Sequence, residues 1–557
     1  MSAVKRAAGA LLLYVLTSVA LFGGPILPHP SSWYVGWGTD PGTHVWFLAW
    51  WPHALATFSN PFLTHSVWAP SGYNLAGSTS LPGPSLVLAP LTALAGPVVS
   101  YNVLALLAPA LSAWGAFLLC SHLTGRFWPS VAGGYVFGFS TYEIGQLTGH
   151  PNLALIPLVP VCVLLVLERL EGEMAPRTFV VLLALALVAQ FSISTEVFLT
   201  MTMFGGLALL LALAFFPSRR PALVRTGGLI AAAYALAAVP LAPYLYYVVR
   251  AASNHPIYAF YPSFYSTDVL NFAVPTELTV GGRLFAGLTR RFSGNLSEQA
   301  GYVSPALVAV GALFAASRWR KPATRFLLAF LGLVLLASLG PTLRFRGSTT
   351  IPLPWEVLTH IPLVEYVLPA RLMMYAFLVL AVTTGMWLAG FRSSPGSPRR
   401  RALVAWVLVV TGAILLLPNL SLPVWRTRAD TPAFFAGAQY RTLLPRGANV
   451  LVVPYGDRGN SMLWQATTGF DFRMPEGYVS VVPPREFAGW PILKTLYSGD
   501  PTPDPERQLR SFLKAKGVSD IVLVKGFPGP WDQLFERIDP SPRDVGGVLL
   551  YRVRPGA

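Results

Sequence analysis

Gly9-Ala-Leu-Leu-Leu-Tyr-Val-Leu-Thr-Ser-Val-Ala-Leu-Phe-Gly23 is an uncharged run just behind Lys5 and Arg6, and its reading decides the fold. A hydrocarbon core of about 30 Å takes roughly 20 apolar residues in a helix. Comparable runs recur at 99–120, 128–147, 152–168, 178–195, 197–216, 226–248, 302–317, 324–340, 367–390 and 402–418. With the run at 6–24 they make eleven expected spans in a mainly α, polytopic membrane bundle. The composition agrees: 54% of the 557 residues are hydrophobic and 11% charged. So many later spans favour a retained signal anchor over a cleaved signal peptide for the first run.

A net charge of +16 raises the question of nucleic acid, and the placement of the charges answers it. Lys5, Arg6, Arg126, Arg169, Arg177, Arg219, Arg220, Arg225, Arg318, Arg320, Lys321, Arg325, Arg392 and Arg399–Arg401 all fall on the side of the amino terminus. Only Glu168, Glu171 and Glu173 oppose them there. Short loops rich in Lys and Arg stay cytoplasmic, so the amino terminus is expected inside and the carboxyl-terminal region outside, in a bacterial plasma membrane. The charge is a topology signal, and no nucleic-acid partner is expected. The outer loops are then 25–98, 249–301 and 341–366. Residues 81–97 are apolar but broken by Pro82, Pro84, Pro90 and Pro97, and read as interfacial or re-entrant. Cys120 and Cys162 sit in or beside spans and read as packing residues.

After residue 418 the composition turns polar, and no run is long enough to cross a bilayer. Residues 1–418 therefore read as a membrane domain, and 419–557 as a small soluble α/β domain outside the membrane. Asn449–Pro454, Asp520–Lys525 and Val548–Val553 read as strands, and Pro505–Lys516 has helical spacing of Leu509, Phe512 and Leu513. This region has no glycine-rich phosphate loop and no cysteine.

Several ionisable groups stand on the outer side. Gly38-Thr-Asp40-Pro-Gly-Thr-His44 lies just beyond the first span. Asp40 before Pro41 is a helix-start signal, which gives a capping role. His44 falls one turn later on the same face, so carboxylate and imidazole would also address one spot. Glu196, after Gln190, sits at the edge of an apolar stretch, either solvated in a turn or facing a cavity. His150 lies in a turn after Glu143 and Gln146. The loop 249–301 carries Glu298, with Tyr302 opening the next span, and loops of this length are often functional lids. Arg344, Arg346 and Arg371 follow, Arg371 at a span entrance, where it either snorkels to headgroups or meets a lipid-linked phosphate. In Trp464–Tyr478 aromatics alternate with polar groups, as in a carbohydrate-facing surface or a packed helix and turn.

An acid in the first outer loop, the many spans, Pro369-Ala-Arg371 at a late span entrance and an outer carboxyl-terminal domain together resemble GT-C class glycosyltransferases. The segments Thr39-Asp-Pro41 with His44, Phe47–His53, Asn60-Pro-Phe62, Pro70–Leu75 and Gly96–Asn102 are similar to YfhO-like bacterial members. The resemblance implies transfer of a hexosyl or pentosyl unit from a polyprenyl-phosphate donor to a cell-envelope acceptor, with inversion. It makes Asp40 the base, supported by His44, and Arg371, Arg344 and Arg346 the donor-phosphate cations. Glu298, Tyr302, Glu196, His150 and Tyr478 would then face acceptor or sugar. Many members carry two adjacent acids where this chain has Asp40-Pro41, so no cofactor is expected and a divalent metal has no support. Membrane lipids are the remaining partners. The alternative is a lipid-linked glycan transporter or flippase, although the two halves of the chain show no internal repeat.

Overall fold

The computed structural model describes residues 2–254, 262–391, 399–480 and 482–554. Arg392 of the basic loops and residues 255–261 of the long outer loop lie outside them. The chain forms two compact units. One comprises Met1–Pro28, Val103–Leu241 and Ala259–Trp425; the other comprises His29–Asn102, Ala242–Tyr258 and Arg426–Ala557.

The first unit is helical. Among the described residues, seven helices are long and apolar enough to cross a membrane: Ala3–Gly23, Pro97–Thr124, Pro151–Glu171, Pro176–Ile193, Thr195–Phe215, Pro217–Arg250 and Pro369–Gly390. Pro305–Arg318 and Pro322–Ser338 are apolar but shorter. The expected span at 128–147 is not one helix. It breaks into Phe127–Gly138 and Thr141–Gln146, because Ser140 turns extended and its hydroxyl caps the N–H of Glu143. The run at 402–418 becomes the 17-residue helix Arg399–Leu415.

Met373–Gly390 is buried on nearly every side, as a helix apolar all round should be. It packs on Phe127–Gly138 at Gly133, where a Cβ would meet the Ala381 carbonyl and the Cys120 sulfur at 2.8 and 2.7 Å. Small residues admit such close helix contacts in membranes. Cys120 and Cys162 are both free and buried. The segment 341–366 contains a hairpin, Thr342–Phe345 with Ser348–Pro352, turned by Arg346 and Gly347 at φ 54° and 80°. Two positive φ angles in succession are what a two-residue hairpin turn requires.

The second unit is mixed. Val450–Val453 pairs in parallel with Asp520–Val524, which pairs antiparallel with Val548–Arg552, and Arg543–Val545 closes that edge. The helix Pro505–Lys516 buries Leu509, Phe512 and Leu513 and stops at Gly517, whose φ is 62°. All four elements read from the sequence are present, but the unit does not begin at 419. Trp33 and Tyr34 pair with Arg428 and Thr427. Met474 and Glu476 accept backbone bonds from Ala69 and Trp68, each at 2.9 Å. The first outer loop belongs here because Asp40–Ala56 buries Trp46, Phe47, Leu48, Trp50 and Trp51 and needs a core to receive them. Residues 81–97 form two short helices, Pro82–Val87 and Ala89–Ala95, that pack on Asp40–Ala56 and are not a span.

Candidate functional site

In the mixed unit, Asp40 opens the helix Asp40–Ala56, with Pro41 following and Thr39 as the residue before it. The Thr39 side chain makes no capping bond, and Asp40 itself lies inside the first turn. There a carboxylate is favoured by the positive end of the helix dipole. Asp40 is half-buried. His44 is 5% exposed, and its Nδ1 donates to the backbone carbonyl of Asp40 at 2.8 Å. A carbonyl only accepts, so this bond fixes the proton on Nδ1. His44 thereby holds the main chain of the first turn.

Tyr478 sits against the same turn, its carbonyl accepting from the Thr43 hydroxyl at 3.2 Å and its N–H facing the Met462 sulfur at 3.0 Å. Its neighbours in sequence are core: Trp464 and Phe472 are buried, and Gln465 accepts from Trp46 Nε1 at 2.7 Å. The packed-helix reading of Trp464–Tyr478 describes these residues. Glu476 is fully buried, and its carboxylate accepts from the Gly456 N–H. Burial pushes its carboxyl up to about 8, against the Gly456 N–H and the Ser461 hydroxyl, which pull it down.

In the helical unit, Arg371 enters Met373–Gly390 from the short turn Pro369–Leu372. Its Nε and Nη2 donate to Glu298 Oε1 at 2.9 and 2.6 Å, and its Nη1 donates to Glu196 Oε2 at 2.5 Å. The side chains of Arg371, Glu298 and Glu196 are 13%, 2% and 24% exposed. Glu196 comes from the first turn of Thr195–Phe215, and Glu298 from a loop in which Asn295 Oδ1 accepts from its N–H at 3.2 Å. Gln146 Nε2 reaches Glu298 Oε2 at 3.3 Å. His150, at the start of the short helix Pro151–Ala154, is an electrostatic neighbour of Glu196.

Arg371 thus snorkels to nothing: it is a buried cation between two carboxylates, and the three together carry one negative charge. Burying such a group is costly unless its geometry is well satisfied. Tyr302 is placed differently from the sugar-facing role expected of it. Its side chain is 4% exposed and joins the apolar core, while its carbonyl accepts from the Thr141 hydroxyl at 2.9 Å.

Arg344 is committed to backbone, donating to the Ser263 carbonyl and, at 3.3 Å, to that of Gly347. Arg346 is exposed at the hairpin turn with its guanidinium 5.6 Å from the Phe345 ring centroid. Among the described residues Arg346 enters no ion pair. Asp268 braces this turn, accepting from the Gly347 N–H at 2.7 Å and the Leu270 N–H at 3.0 Å.

Glu143 and Gln146 are absent from the candidate residues read from the sequence. Glu143 is 1% exposed, and neither oxygen makes a hydrogen bond of normal geometry among the described residues, although the Ser112 hydroxyl is an electrostatic neighbour. The signal was available: a carboxylate and an amide three residues apart in an apolar turn put both on one helix face. Gln190, which precedes Glu196 in that apolar stretch, is fully buried with both amide atoms unbonded among the described residues. Of His, Cys and acidic side chains among the described residues, His122, Glu171 and Glu173 bring ligand atoms within 4.8 Å of one another. His122 and Glu171 already pair at 2.8 Å.

The fold is that of GT-C glycosyltransferases. The arabinofuranosyltransferase AftD from Mycobacteria aligns over 100% of this chain at 14% identity and a TM-score of 0.61. The chain spans about 40% of that protein's length. The archaeal oligosaccharyltransferase AglB from Archaeoglobus fulgidus, in complex with an inhibitory peptide and a dolichol-phosphate, aligns over 94% of this chain and 70% of its own. Its identity is 10% and its TM-score 0.51. ArnT from Cupriavidus metallidurans, bound to undecaprenyl phosphate, aligns over 98% of both chains at 12% identity and a TM-score of 0.51. By sequence, the chain belongs to the family described as Domain of unknown function (DUF6311), matched over residues 10–410. No curated protein matches it.

Proposed function

We propose that the protein is a membrane glycosyltransferase that moves a hexosyl or pentosyl unit from a polyprenyl-phosphate donor to a cell-envelope acceptor outside the plasma membrane. The observation that carries this reading is the end-to-end correspondence with ArnT, solved bound to undecaprenyl phosphate. The Lys and Arg asymmetry of the loops supports a cytoplasmic amino terminus and an extracytoplasmic carboxyl-terminal region.

In the proposed reaction an acceptor hydroxyl attacks the anomeric carbon as its proton passes to Asp40. The bond from that carbon to the phosphate oxygen breaks, its electron pair leaves with the lipid phosphate, and a single displacement inverts the configuration. His44 supports Asp40 by fixing the first turn of its helix. The leaving phosphate needs a cation in place as its charge grows. Arg346 suits that role best, because Arg344 is spent on carbonyls and Arg371 is balanced by two glutamates. The N–H positions of Arg371 not taken by the glutamates remain as a second contact. Glu196, 24% exposed and oriented by Arg371, is the acceptor for sugar hydroxyls, the buried Glu298 holds Arg371 in place, His150 lies beside Glu196 and Tyr478 beside the Asp40 turn.

The test is the full chain in proteoliposomes, offered a panel of polyprenyl-phosphate sugars and envelope glycan acceptors. Sugar transfer that requires Asp40 supports the proposal. Movement of the lipid-linked sugar across the bilayer without transfer sinks it in favour of a flippase.

A further inference from the structure

One end of the helical unit concentrates cations that enter no ion pair among the described residues. Pro305–Arg318 ends in Arg318, with Arg320 and Lys321 in the following turn, and Arg399–Leu415 begins with three arginines. The segments 302–355 and 372–429 contain no Asp or Glu at all. Arg318 reaches the same end of Met373–Gly390, donating to the Met386 carbonyl at 3.3 Å. Among the described residues neither Arg400 nor Arg401 enters an ion pair, and both are exposed.

Between these helices lies a groove of about 570 Å³, with Leu313, Trp387, Phe391 and Leu408 on its walls and Arg400 and Arg401 at its rim. The groove continues onto an apolar surface. Leu403, Val404, Val407, Val410 and Ile414 of the Arg399–Leu415 helix are each at least 50% exposed, a stripe suited to acyl chains. Trp387 and Phe391 stand edge to face at 5.0 Å beside the arginines. Aromatic rings are favoured at the boundary between acyl chains and headgroups.

From this we propose that the groove binds an anionic glycerophospholipid, its phosphate on Arg400 and Arg401 and an acyl chain along Leu313 and Leu408. Charge complementarity selects this occupant. A zwitterionic lipid offers no net charge to two unbalanced guanidiniums, whereas a basic pocket between membrane helices matches an anionic headgroup. The apolar walls exclude a free phosphate as the preferred ligand, since most of the lining would stay bare. The site is independent of the glycosyltransferase reading and uses none of the residues assigned to it.

Native mass spectrometry of the full chain, titrated with phosphatidylglycerol and phosphatidylcholine in matched detergent, tests the proposal. Phosphatidylglycerol is expected to be retained selectively, and more weakly as salt rises. R400A/R401A should lower its retention about tenfold or more, following the contribution of each basic residue near an anionic surface. R400K/R401K should keep most of it, and L313W, which fills the groove, should lower retention of both lipids. Equal retention of the two lipids by the wild type overturns the proposal. So does unchanged selectivity in R400A/R401A, or loss in R400K/R401K equal to that of the alanine pair.

Discussion

Arg371 holds a single oxygen of Glu298 from two of its nitrogens, Nε at 2.9 Å and Nη2 at 2.6 Å, while Nη1 turns to Glu196. This forked grip suits a planar guanidinium and not an ammonium. Arg371→Ala should therefore cost about 3 to 5 kcal/mol, because it leaves buried carboxylates without their counter-ion. Arg371→Lys should recover only part of that loss, and Glu298→Gln should cost less than Arg371→Ala. Thermal unfolding in one detergent ranks the three variants. A fully stable Arg371→Ala protein would show that the grip contributes nothing to the fold.

The proposed base makes a separable prediction. Asp40 is half-buried in the first turn of its helix, where an amide has the shape of the acid and gives up only its charge at the helix dipole. Asp40→Asn should lose no more than about 1 kcal/mol of stability, yet about 10²- to 10⁴-fold in sugar transfer, the usual contribution of a positioned general base. His44→Ala removes the bond to the Asp40 carbonyl and the packing of a buried ring, so it should lower stability, by about 0.5 to 1.5 kcal/mol from the bond alone. Equal transfer by Asp40→Asn and wild type at matched membrane abundance would exclude Asp40.

These residues also show where a sequence is readable. Pro505–Lys516 was visible because Leu509, Phe512 and Leu513 repeat at helical spacing between Asp504 and Gly517, all of it local information. Arg371, Glu196 and Glu298 stood out singly, since charge in an apolar context is costly. That they bind one another was not visible, because the partners come from elements far apart in the chain and nothing local encodes the meeting. The allegiance of residues 29–102 was hidden for the same reason. It rests on two-residue strands pairing 33–34 with 427–428 and on Trp46 finding Gln465. The break inside 128–147 is invisible to hydropathy, which does not weigh Ser140 as a cap for the helix that follows.

The hairpin turn separates a binding role from a structural one. Arg346 is exposed and unpaired with acids among the described residues, so Arg346→Ala should leave the melting temperature unchanged. If it meets the donor phosphate, KM for the lipid-linked sugar should rise about tenfold or more, the loss of one charge-assisted hydrogen bond. Gly347→Ala should instead destabilise the hairpin by about 1 to 3 kcal/mol. Its φ is 80°, and a Cβ there would run into the Arg291 carbonyl. Kinetics and melting measured on both variants distinguish the roles, and an unchanged KM in Arg346→Ala would remove it from the donor site.

Glu476 supplies a pH dependence with a definite sign. Burial holds its carboxyl at about 8, well above the usual carboxylate value near 4.3. Below the lower value the folded and unfolded chains both carry the proton, and the residue is neutral towards stability. Between the two values the unfolded chain releases the proton and the folded chain keeps it. Stability therefore falls as pH climbs from about 4.5 towards 8, by up to about 1.4 kcal/mol per pH unit from this one group. Glu476→Gln keeps a carbonyl to accept the Gly456 N–H but carries no titrating proton. The variant should lie close to wild type at about pH 4 and melt higher at about pH 8, so that the gap between the two melting curves opens with pH. A constant gap across that range would mean that Glu476 does not titrate there.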